Sequence, residues 1–260
     1  MKKNKKPLVS IVLPVYNAGE FLVEAILSVI SQTYKNWELI CVNDDSKDNS
    51  LEILQDFALN NPRIKIYSNS KNLGVALTSN FAISKTKGKY LARMDADDIM
   101  FPDRIEKQIK FLQKNPGVVI VGGQCQLIDR EGNLIGKKTF PTRNTDLYKM
   151  AFRSMPIQQP TMMINTKLLP KNFSWYVDKF KPADDLDLFF RLFNFGLFAN
   201  LPDFVLKYRM HKTNISLVNP KRTFFLTYEI RKRAVELYNF KPVFGSKLIN
   251  YFYSKSLKTS

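Results

Sequence analysis

The sequence is poor in the residues on which several common kinds of site depend. It contains one histidine, His211, and two cysteines, Cys41 and Cys125, which both lie in apolar, strand-like stretches. This composition excludes a Cys/His zinc site and a histidine-rich catalytic cluster. It also provides no disulfide framework, which is typical of a protein in a reducing compartment.

Long apolar runs and glycine-rich nucleotide motifs are missing as well. No stretch reaches the roughly 18 to 20 apolar residues that a membrane-spanning helix requires. The basic segment 1–6 and the apolar run 8–13 have the outline of a signal peptide, but the run is short and breaks at Pro14. Neither Gly-x-Gly-x-x-Gly nor Gly-x4-Gly-Lys-Ser/Thr occurs, which disfavours dinucleotide-binding and P-loop enzymes. We therefore expect a soluble or peripheral protein whose first apolar run is a core strand.

Acidic residues are few relative to basic ones. The 40 lysines and arginines exceed the 23 aspartates and glutamates, and the formal net charge is +17. Such a charge indicates an acidic partner, which could be nucleic acid, an anionic membrane surface or a phosphorylated substrate. The basic residues are spread out, and no reading helix or stacking motif accompanies them. We therefore expect no nucleic-acid partner, and a nucleic-acid-binding α/β protein remains an alternative that rests on charge alone.

The first half of the chain alternates between strand-like and helix-like patterns. Apolar runs typical of buried strands occur at 8–15, 37–42, 63–67, 90–92 and 118–121. Apolar residues at helical spacing lie between these runs. This alternation predicts a doubly wound, mostly parallel, Rossmann-like α/β sheet with right-handed crossovers.

The second half does not continue that alternation, which predicts a mixed region. A hairpin is expected over 127–140, and strands are expected over 160–165 and 201–208. A helix is predicted to begin near Pro182 and to carry acidic residues in its first turn. From Pro220 the pattern is helical to the C-terminus.

Three carboxylates follow the fourth predicted strand, which begins at Tyr90: Asp95, Asp97 and Asp98. Ligands of open α/β sheets bind beyond the carboxyl ends of the strands. Clustered carboxylates repel one another, and their hard oxygens suit Mg²⁺ or Mn²⁺ bound together with a phosphate-bearing substrate. The alternative is a solvated acidic turn in which Asp98 or Asp103 caps the next helix.

Six short motifs follow one another along residues 7–215. They are Leu13-Pro-Val-Tyr-Asn17 with Glu20, Val42-Asn-Asp-Asp-Ser-Lys-Asp48, Asn72-Leu-Gly74 to Asn80, Met94-Asp-Ala-Asp-Asp98, Ala183-Asp-Asp-Leu-Asp187 through Arg191, and Tyr208-Arg-Met-His211 to Ser216. In this order and spacing they resemble the family 2 glycosyltransferases, which have the A-type nucleotide-sugar fold. The resemblance implies transfer of a sugar from a nucleoside diphosphate, usually with inversion at the anomeric carbon.

Three positions depart from the family pattern. Asn43 stands where the family often has Asp, Asp45 where it often has Gly, and Asp184 where it usually has Glu. Glycine at the second position would permit a positive φ. Because aspartate can also adopt that conformation, the turn can still form.

The resemblance implies a role for each acidic segment. Asp97 resembles the metal ligand, with His211 as a second ligand, and Asp185 matches the general base, with Asp184 beside it on the acceptor side. The residues that the family would use to bind the nucleotide sugar are Pro14, Val15, Tyr16, Asn17, Glu20, Asp44, Asp95 and Ala96. Among these, Asp44 would accept a hydrogen bond from uracil, which favours UDP donors. Lys71 and Arg93 would help to neutralise phosphate.

Each of these residues also has an ordinary structural interpretation. Asp184 and Asp185 suit the first turn of a helix because of its macrodipole. Asp44 suits an Asx turn. A lone histidine after a strand is more often a structural hydrogen-bonding residue than a metal ligand.

The expected function is therefore that of a metal-dependent, inverting hexosyl- or N-acetylhexosaminyltransferase. It would use Mn²⁺ or Mg²⁺ and a UDP-sugar, and it would extend a glycan or lipid-linked acceptor of a cell-surface polysaccharide such as lipopolysaccharide. A sugar-phosphate nucleotidyltransferase is a second alternative. That class would have a Gly-rich, Arg-containing loop where this chain has Val15-Tyr-Asn-Ala-Gly19.

The predicted catalytic domain, 1–215, divides into a nucleotide-sugar half, 7–123, and an acceptor half, 124–215, and a helical tail, 216–260, follows it. The tail is basic and aromatic, and Glu229 and Glu236 are its only acidic residues. Such a composition suits the headgroup zone of an anionic membrane. The predicted location is cytoplasmic, with the protein peripheral on the inner face of the cytoplasmic membrane. The alternative is that the aromatics pack the tail onto the catalytic domain.

Overall fold

The structure is a computed structural model that describes residues 6–211 and 220–242. Its strands are β1 (Val9–Val15), β2 (Trp37–Asn43), β3 (Ile64–Ser68), β4 (Tyr90–Arg93), β5 (Ile99–Met100), β6 (Val118–Ile128), β7 (Leu134–Lys138), β8 (Met163–Asn165) and β9 (Leu197–Arg209). Its helices are α1 (Gly19–Ile30), α2 (Ser50–Asn60), α3 (Val75–Ser84), α4 (Arg104–Lys114), α5 (Asn144–Ala151), α6 (Asp184–Leu192) and α7 (Pro220–Leu237).

The strands form one mixed sheet in the order β3-β2-β1-β4-β8-β6-β9-β5, and β7 pairs with β6. The first four strands are parallel, with Val9 opposite both Trp37 and Tyr90. Strand β8 runs antiparallel to β4 and β6, whereas β9 runs parallel to β6. The predicted doubly wound, mostly parallel sheet with a mixed second region is thereby confirmed.

Helices cover both faces of the sheet, as the continuous apolar composition of β1 and β2 predicts. Helix α1 buries Leu22, Ala25, Ile26 and Val29 on one face, and α2 and α4 contribute to the same core. Helices α3, α5 and α6 pack on the other face, where Leu188 and Phe189 of α6 are fully buried. The sheet is therefore shielded on both faces, and the rim at the carboxyl ends of β1, β2 and β4 carries the polar segments.

The predicted hairpin is present, with Ile128 opposite Leu134, but several elements differ from the prediction. Strands β6 and β9 are longer than expected, and the position near 123 where the two predicted halves meet lies within β6. Helix α5 and the two-residue strand β5 were not predicted. Both are too short to show a periodicity, since α5 buries only Leu147 and Ala151. The strand predicted from Pro160 begins as a short 3-10 turn, and only Met163–Asn165 is extended.

Helix α7 packs against α6. Ile230, Ala234 and Phe240 join Leu186 and Phe190 in a third core cluster. Part of the aromatic tail therefore packs on the catalytic domain, while Phe224 and Phe225 are 46% and 55% exposed. Within residues 6–211 and 220–242, no helix is long and apolar enough to cross a membrane.

Two parts of the predicted sites and tail lie outside the described residues. They are the end of the closing motif, from Lys212 to Ser216, and the C-terminal segment 243–260 with Phe244, Tyr251, Phe252 and Tyr253.

Candidate active site

The loops that follow β1 and β2 are bound to each other at the rim of the sheet. The Asn17 N–H donates to Ser46 Oγ over 3.0 Å, and the Lys47 N–H donates to Asn17 Oδ1 over 2.8 Å. Asn17 and Asp45 have φ values of 47° and 60°, so the predicted positive φ of Asp45 is confirmed. Tyr16 is 52% exposed at this edge. Its ring is therefore available to a ligand.

Asp44 orders the loop that leads to α3. Its carboxylate is almost fully buried and accepts hydrogen bonds from Asn69 Nδ2 and from the N–H groups of Leu73 and Gly74, at 2.7, 2.9 and 2.8 Å. Gly74 has a φ of 84° and lies against Lys181, where an added Cβ would be 2.2 Å from Nζ. The structure thus gives Asp44 a loop-ordering role, and its contact with uracil remains a prediction.

The acidic segment after β4 meets the end of β9. Asp97 Oδ2 and His211 Nε2 are 2.8 Å apart, although 114 positions separate them in the chain. The His211 ring stacks on Phe21 of α1 with a centroid separation of 5.4 Å. Asp95 Oδ1 lies 2.7 Å from Arg93 Nη2. The structure therefore brings together the two residues predicted to bind metal.

Asp98 points away from solvent and toward β9. It is 1% exposed, and its Oδ1 accepts a hydrogen bond from the Arg209 N–H over 2.9 Å. Asp103 precedes α4 but makes no capping hydrogen bond, and its side chain pairs with Lys107 instead. The alternative of a solvated capping turn is therefore wrong. Burial raises the pKa of Asp98 well above its usual range, and the neighbouring charges of Asp97 and Asp95 raise it further.

Buried arginines lie behind this acidic segment. Arg93 and Arg104 are 1% and 0% exposed. Arg104 donates to the carbonyl of Arg93 over 2.9 Å and to Gln108 Oε1 over 3.2 Å. Burial raises the pKa of Asp95, while the positive charges of Arg93 and Arg104 lower it. The buried guanidinium of Arg93 pairs with Asp95, and its predicted help in neutralising phosphate remains a prediction.

Arg209, at the end of β9, joins three elements. Its Nε donates to the carbonyl of Asp97 over 2.9 Å, and its Nη1 donates to the carbonyl of Arg130 over 2.6 Å. Its Nη2 lies 2.5 Å from Glu24 Oε2, and its guanidinium lies over the ring of Phe21. These contacts fix the acidic segment relative to α1 and the β6–β7 hairpin.

Glu20 is at the rim, in the first turn of α1. It forms a two-point ion pair with Arg130, with N–O distances of 2.6 and 2.7 Å. The hydrogen bond from Arg130 lowers the pKa of Glu20. The structure therefore joins Glu20 to the hairpin, and its predicted contact with the nucleotide sugar remains a prediction.

The first turn of α6 carries the two carboxylates that were predicted for the acceptor side. Asp184 is 6% exposed, and Asp185 is partly exposed and accepts a hydrogen bond from the Leu186 N–H over 2.8 Å. Burial, followed by the charges of Asp184 and Asp95, raises the pKa of Asp185 to about 7. The charge of Asp95, which follows β4, therefore acts on Asp185, and the catalytic role of Asp185 remains a prediction.

Comparison with known proteins agrees with this arrangement. Residues 10–173 match the model of the family described as glycosyl transferase family 2. The chain belongs to this family. It is 32% identical, over 94% of its length and 78% of the relative's, to a glycosyltransferase of Haemophilus influenzae that has not been characterised.

Two solved structures show the same fold. One is residues 1–349 of S. aureus TarS in complex with UDP-GlcNAc, with a TM-score of 0.70, 18% identity, and coverage of 85% of this chain and 65% of TarS 1–349. The other is a mannosyltransferase from Pyrobaculum calidifontis in complex with GDP-Man and Mn²⁺, with a TM-score of 0.63 and 14% identity over 97% of this chain and 81% of that one. The chain spans less than two thirds of TarS 1–349.

Asp97 and His211 of this family 2 glycosyltransferase fit a divalent ion only if further ligands come from outside the described residues. The described residues contain no group of three or more His, Cys, Asp or Glu that could hold an ion alone. Asp97 and His211 nevertheless present an oxygen and a nitrogen at one point, and both are partly exposed. Mn²⁺ accepts such ligands, and Mg²⁺ sites commonly combine one or two carboxylates with substrate phosphates.

Arg104 and Arg209 are buried arginines next to the candidate site that the sequence interpretation missed. Arg104 and Gln108 lie one helical turn apart, and the next position on that row is the buried Leu112. That spacing indicates a buried polar pair. Arg209 carried no comparable signal, because its contacts come from three segments that are far apart in the chain.

Proposed function

We propose that this family 2 glycosyltransferase moves a sugar from a UDP-sugar to a hydroxyl of a glycan or lipid-linked acceptor, with a divalent ion and with inversion. Two observations support this proposal. One is the Asp97–His211 pair, and the other is Asp185, whose pKa is raised to about 7 by burial and by the charges of Asp184 and Asp95. A general base works best when its pKa lies near the operating pH.

On the donor side, Asp97 and His211 would hold Mn²⁺ or Mg²⁺. When bound, the ion stabilises the negative charge that develops on the leaving diphosphate. Asp95 faces the ribose, and Arg93 holds its carboxylate in place over 2.7 Å. The exposed ring of Tyr16 frames the base together with Pro14 and Val15.

On the acceptor side, Asp185 takes the proton of the acceptor hydroxyl as its oxygen attacks the anomeric carbon. The bond between that carbon and the diphosphate breaks at the same time, and UDP leaves with the electron pair. A single displacement of this kind inverts the anomeric centre. A carboxylate that is partly exposed and accepts one backbone hydrogen bond keeps lone pairs available for the incoming proton.

The deciding experiment measures nucleoside diphosphate release from a panel of UDP- and GDP-sugars, with Mn²⁺ and with EDTA. We expect release from at least one UDP-sugar in Mn²⁺ and none in EDTA, with a product of inverted configuration. Equal release in EDTA would remove the ion from the reaction. Pyrophosphate release from UTP and a sugar 1-phosphate would instead support a nucleotidyltransferase.

A lipid-linked acceptor is favoured by the outer face of α7. Phe224 and Phe225 are about half exposed, and Arg222 is exposed beside them. Aromatic and cationic side chains of this kind suit an anionic headgroup layer, where each basic residue contributes about 1 kcal/mol. The protein would thus act at the inner face of the cytoplasmic membrane, in the synthesis of a cell-surface polysaccharide.

Vesicle co-sedimentation tests the membrane contact. We expect binding to anionic but not to neutral vesicles, weakened by added salt because the attraction is electrostatic. The double variant F224A/F225A should bind less, whereas Leu59→Ala, which removes an 84% exposed residue of α2, should bind like the wild type. Equal failure of folded wild-type protein to bind both vesicles at low salt would contradict the contact.

A further inference from the structure

Tyr176 lies in the segment that leads into α6, and an amide side chain of α3 holds its backbone. Asn80 Nδ2 donates to the Tyr176 carbonyl over 2.8 Å, and the Tyr176 N–H donates to Asn80 Oδ1 over 2.9 Å. Both backbone polar groups of Tyr176 are therefore satisfied by one residue. This pair of bonds fixes the position from which the phenol ring extends.

The ring of Tyr176 is buried, yet its hydroxyl has no hydrogen-bond partner among the described residues. The side chain is 3% exposed and packs in the core cluster that contains Leu188 and Phe189. A buried hydroxyl without a partner is unfavourable, and native proteins keep few such groups. Phenylalanine would fill the same space without this cost, so the hydroxyl requires an explanation.

The charged groups that act on this hydroxyl come from two segments. Arg93 and Asp95 lie at and after the end of β4, and Asp184 and Asp185 lie in the first turn of α6. Burial raises the pKa of Tyr176, and the three carboxylates raise it further, while Arg93 lowers it. The phenol therefore remains protonated and can donate a hydrogen bond at neutral pH.

We propose that Tyr176 is a positioning residue for the base: when substrates fill the cleft, its hydroxyl donates a hydrogen bond to the Asp185 carboxylate. This inference rests on the proposed function. The bond would turn one carboxylate oxygen toward the phenol and leave the other directed at the acceptor hydroxyl. It would supply the partner that the Tyr176 hydroxyl lacks.

The bond also has a consequence for pH dependence. A hydrogen bond to the ionised form of a carboxyl group lowers its pKa. The other groups that face Asp185 are Asp184 on its own helix, Asp95 at the end of β4 and Lys138 of β7. Their charges remain when the phenol oxygen is removed, so a Phe variant isolates the contribution of Tyr176.

The test is Tyr176→Phe, with Tyr90→Phe as the matched control. Tyr90 is also buried, but it lies at the start of the interior strand β4, whereas the acidic segment follows the end of that strand. We expect Tyr176→Phe to unfold at the wild-type temperature or above, to keep the wild-type KM for the donor, and to lower kcat by about ten- to a hundredfold. The acidic limb of its kcat profile should move up by roughly one pH unit. The control should match the wild type in all four measurements.

A double-mutant cycle with Asp185→Asn distinguishes an effect of Tyr176 that acts through Asp185 from an effect that does not involve Asp185. If Tyr176 acts through Asp185, adding Tyr176→Phe to Asp185→Asn lowers kcat by less than about threefold. Losses that multiply would overturn the assignment. Wild-type kcat and acidic limb in Tyr176→Phe would also overturn it, and a marked loss of stability would show that the hydroxyl has a structural partner.

Failure of this inference is distinct from failure of the proposed function. If wild-type protein releases no nucleoside diphosphate from any donor sugar, the proposed function is wrong. If the wild type transfers sugar and Asp185→Asn is impaired while Tyr176→Phe is not, only the positioning role is wrong.

Discussion

The segment after β4 and the first turn of α6 have nearly the same composition and different surroundings. Each carries three aspartates within four positions, at 95, 97 and 98 in one case and at 184, 185 and 187 in the other. Local sequence alone would give the two segments similar chemistry. The fold places different numbers of buried cations beside them.

The donor segment is surrounded by positive charge that solvent does not reach. Arg93, Arg104 and Arg209 are each at most 1% exposed. Arg93 and Arg209 contact the side chains or backbone of the segment, and Arg104 bonds to the carbonyl of Arg93. The charge of Arg104 lowers the pKa values of Asp95 and Asp98, but burial leaves both above their usual range. A divalent ion would add the positive charge that these carboxylates still lack.

In the part of the chain that the structure describes, one arginine forms an ion pair with the acceptor segment, residues 184–187, and it pairs with a single aspartate. Arg191 Nε lies 2.8 Å from Asp187 Oδ2, and Tyr238 of the α7 region donates to the other oxygen of Asp187 over 2.9 Å. Asp185 forms no ion pair within residues 6–211 and 220–242. Its pKa of about 7 therefore reflects burial beside Asp184, and it is suited to accept a proton. The two segments therefore differ in the cations beside them more than in the acids themselves.

The largest expected effect is on the donor side. Asp97→Ala should abolish metal-dependent transfer and leave the fold intact, because it removes the carboxylate that would hold the ion. Sugar transfer in Mn²⁺ and far-ultraviolet circular dichroism measure the two properties. Asp103→Ala, which removes an exposed acid at the start of α4, is the matched control and should be fully active. Full activity of Asp97→Ala would show that the segment after β4 does not hold the ion, and the proposed difference in role between the two segments would then be wrong.

On the acceptor side, Asp185→Asn should lower kcat about a hundredfold or more, because it removes the general base. The affinity for the UDP-sugar, measured by titration calorimetry, should stay near the wild-type value, since donor groups are unchanged. Asp184→Asn keeps Asp185 and should lose less activity. Nearly wild-type turnover by Asp185→Asn would show that another acid, or another reaction, is involved.

The third prediction concerns stability. Arg104→Met should lower the free energy of unfolding by about 3 kcal/mol, because it leaves buried carboxylates without a compensating charge. Lys138→Met, on the exposed side of β7 near Asp185, should change it by less than about 0.5 kcal/mol. Urea unfolding at pH 7 measures the free energy of unfolding of both variants. Similar decreases in the two variants would mean that the two segments depend equally on their cations for stability.

The smallest expected effect is a pH dependence of stability. The pKa of Asp185 is about 7 in the folded protein, above the unfolded value of about 3.9. Its contribution to stability is therefore fully present below pH 4 and is lost as the pH rises through 7. Asp185→Asn has no such loss, so it should raise the melting temperature more at pH 8 than at pH 5, by roughly 5 to 10 °C. An equal shift at both pH values would contradict the raised pKa.

The local sequence pattern was sufficient to predict the elements that have a strong apolar periodicity or a continuous apolar run. The apolar runs of β1 and β2 are buried on both faces and have no alternation, so their parallel pairing could be predicted. The positive φ of Asp45 followed from the turn in which it lies. Strand β5 could not be predicted, because it exists only through its pairing with Lys207 and Leu206 of β9.

The candidate site was predictable in its acids and not in its cations. Asp95 and Asp97 follow a parallel strand and Asp185 lies in the first turn of α6, and the resemblance to the family 2 glycosyltransferases implied a role for each of them. Arg93 was assigned to phosphate because a sequence does not show whether a guanidinium is buried. The pair between Glu20 and Arg130, 110 positions apart, depends on where the β6–β7 hairpin folds back.

The parallel half of the sheet, the order of the motifs and the identity of the acids can be read from the amino-acid sequence, because they depend on local periodicity and on strand ends. Folding of the whole chain is needed to bring His211 to Asp97, to bury three arginines behind Asp95 and Asp98, and to raise the pKa of Asp185 to about 7. Those outcomes depend on distances and burial between segments that are far apart in the chain. Electrostatic energies follow such distances and the surrounding dielectric, and neither is encoded in any short stretch of sequence.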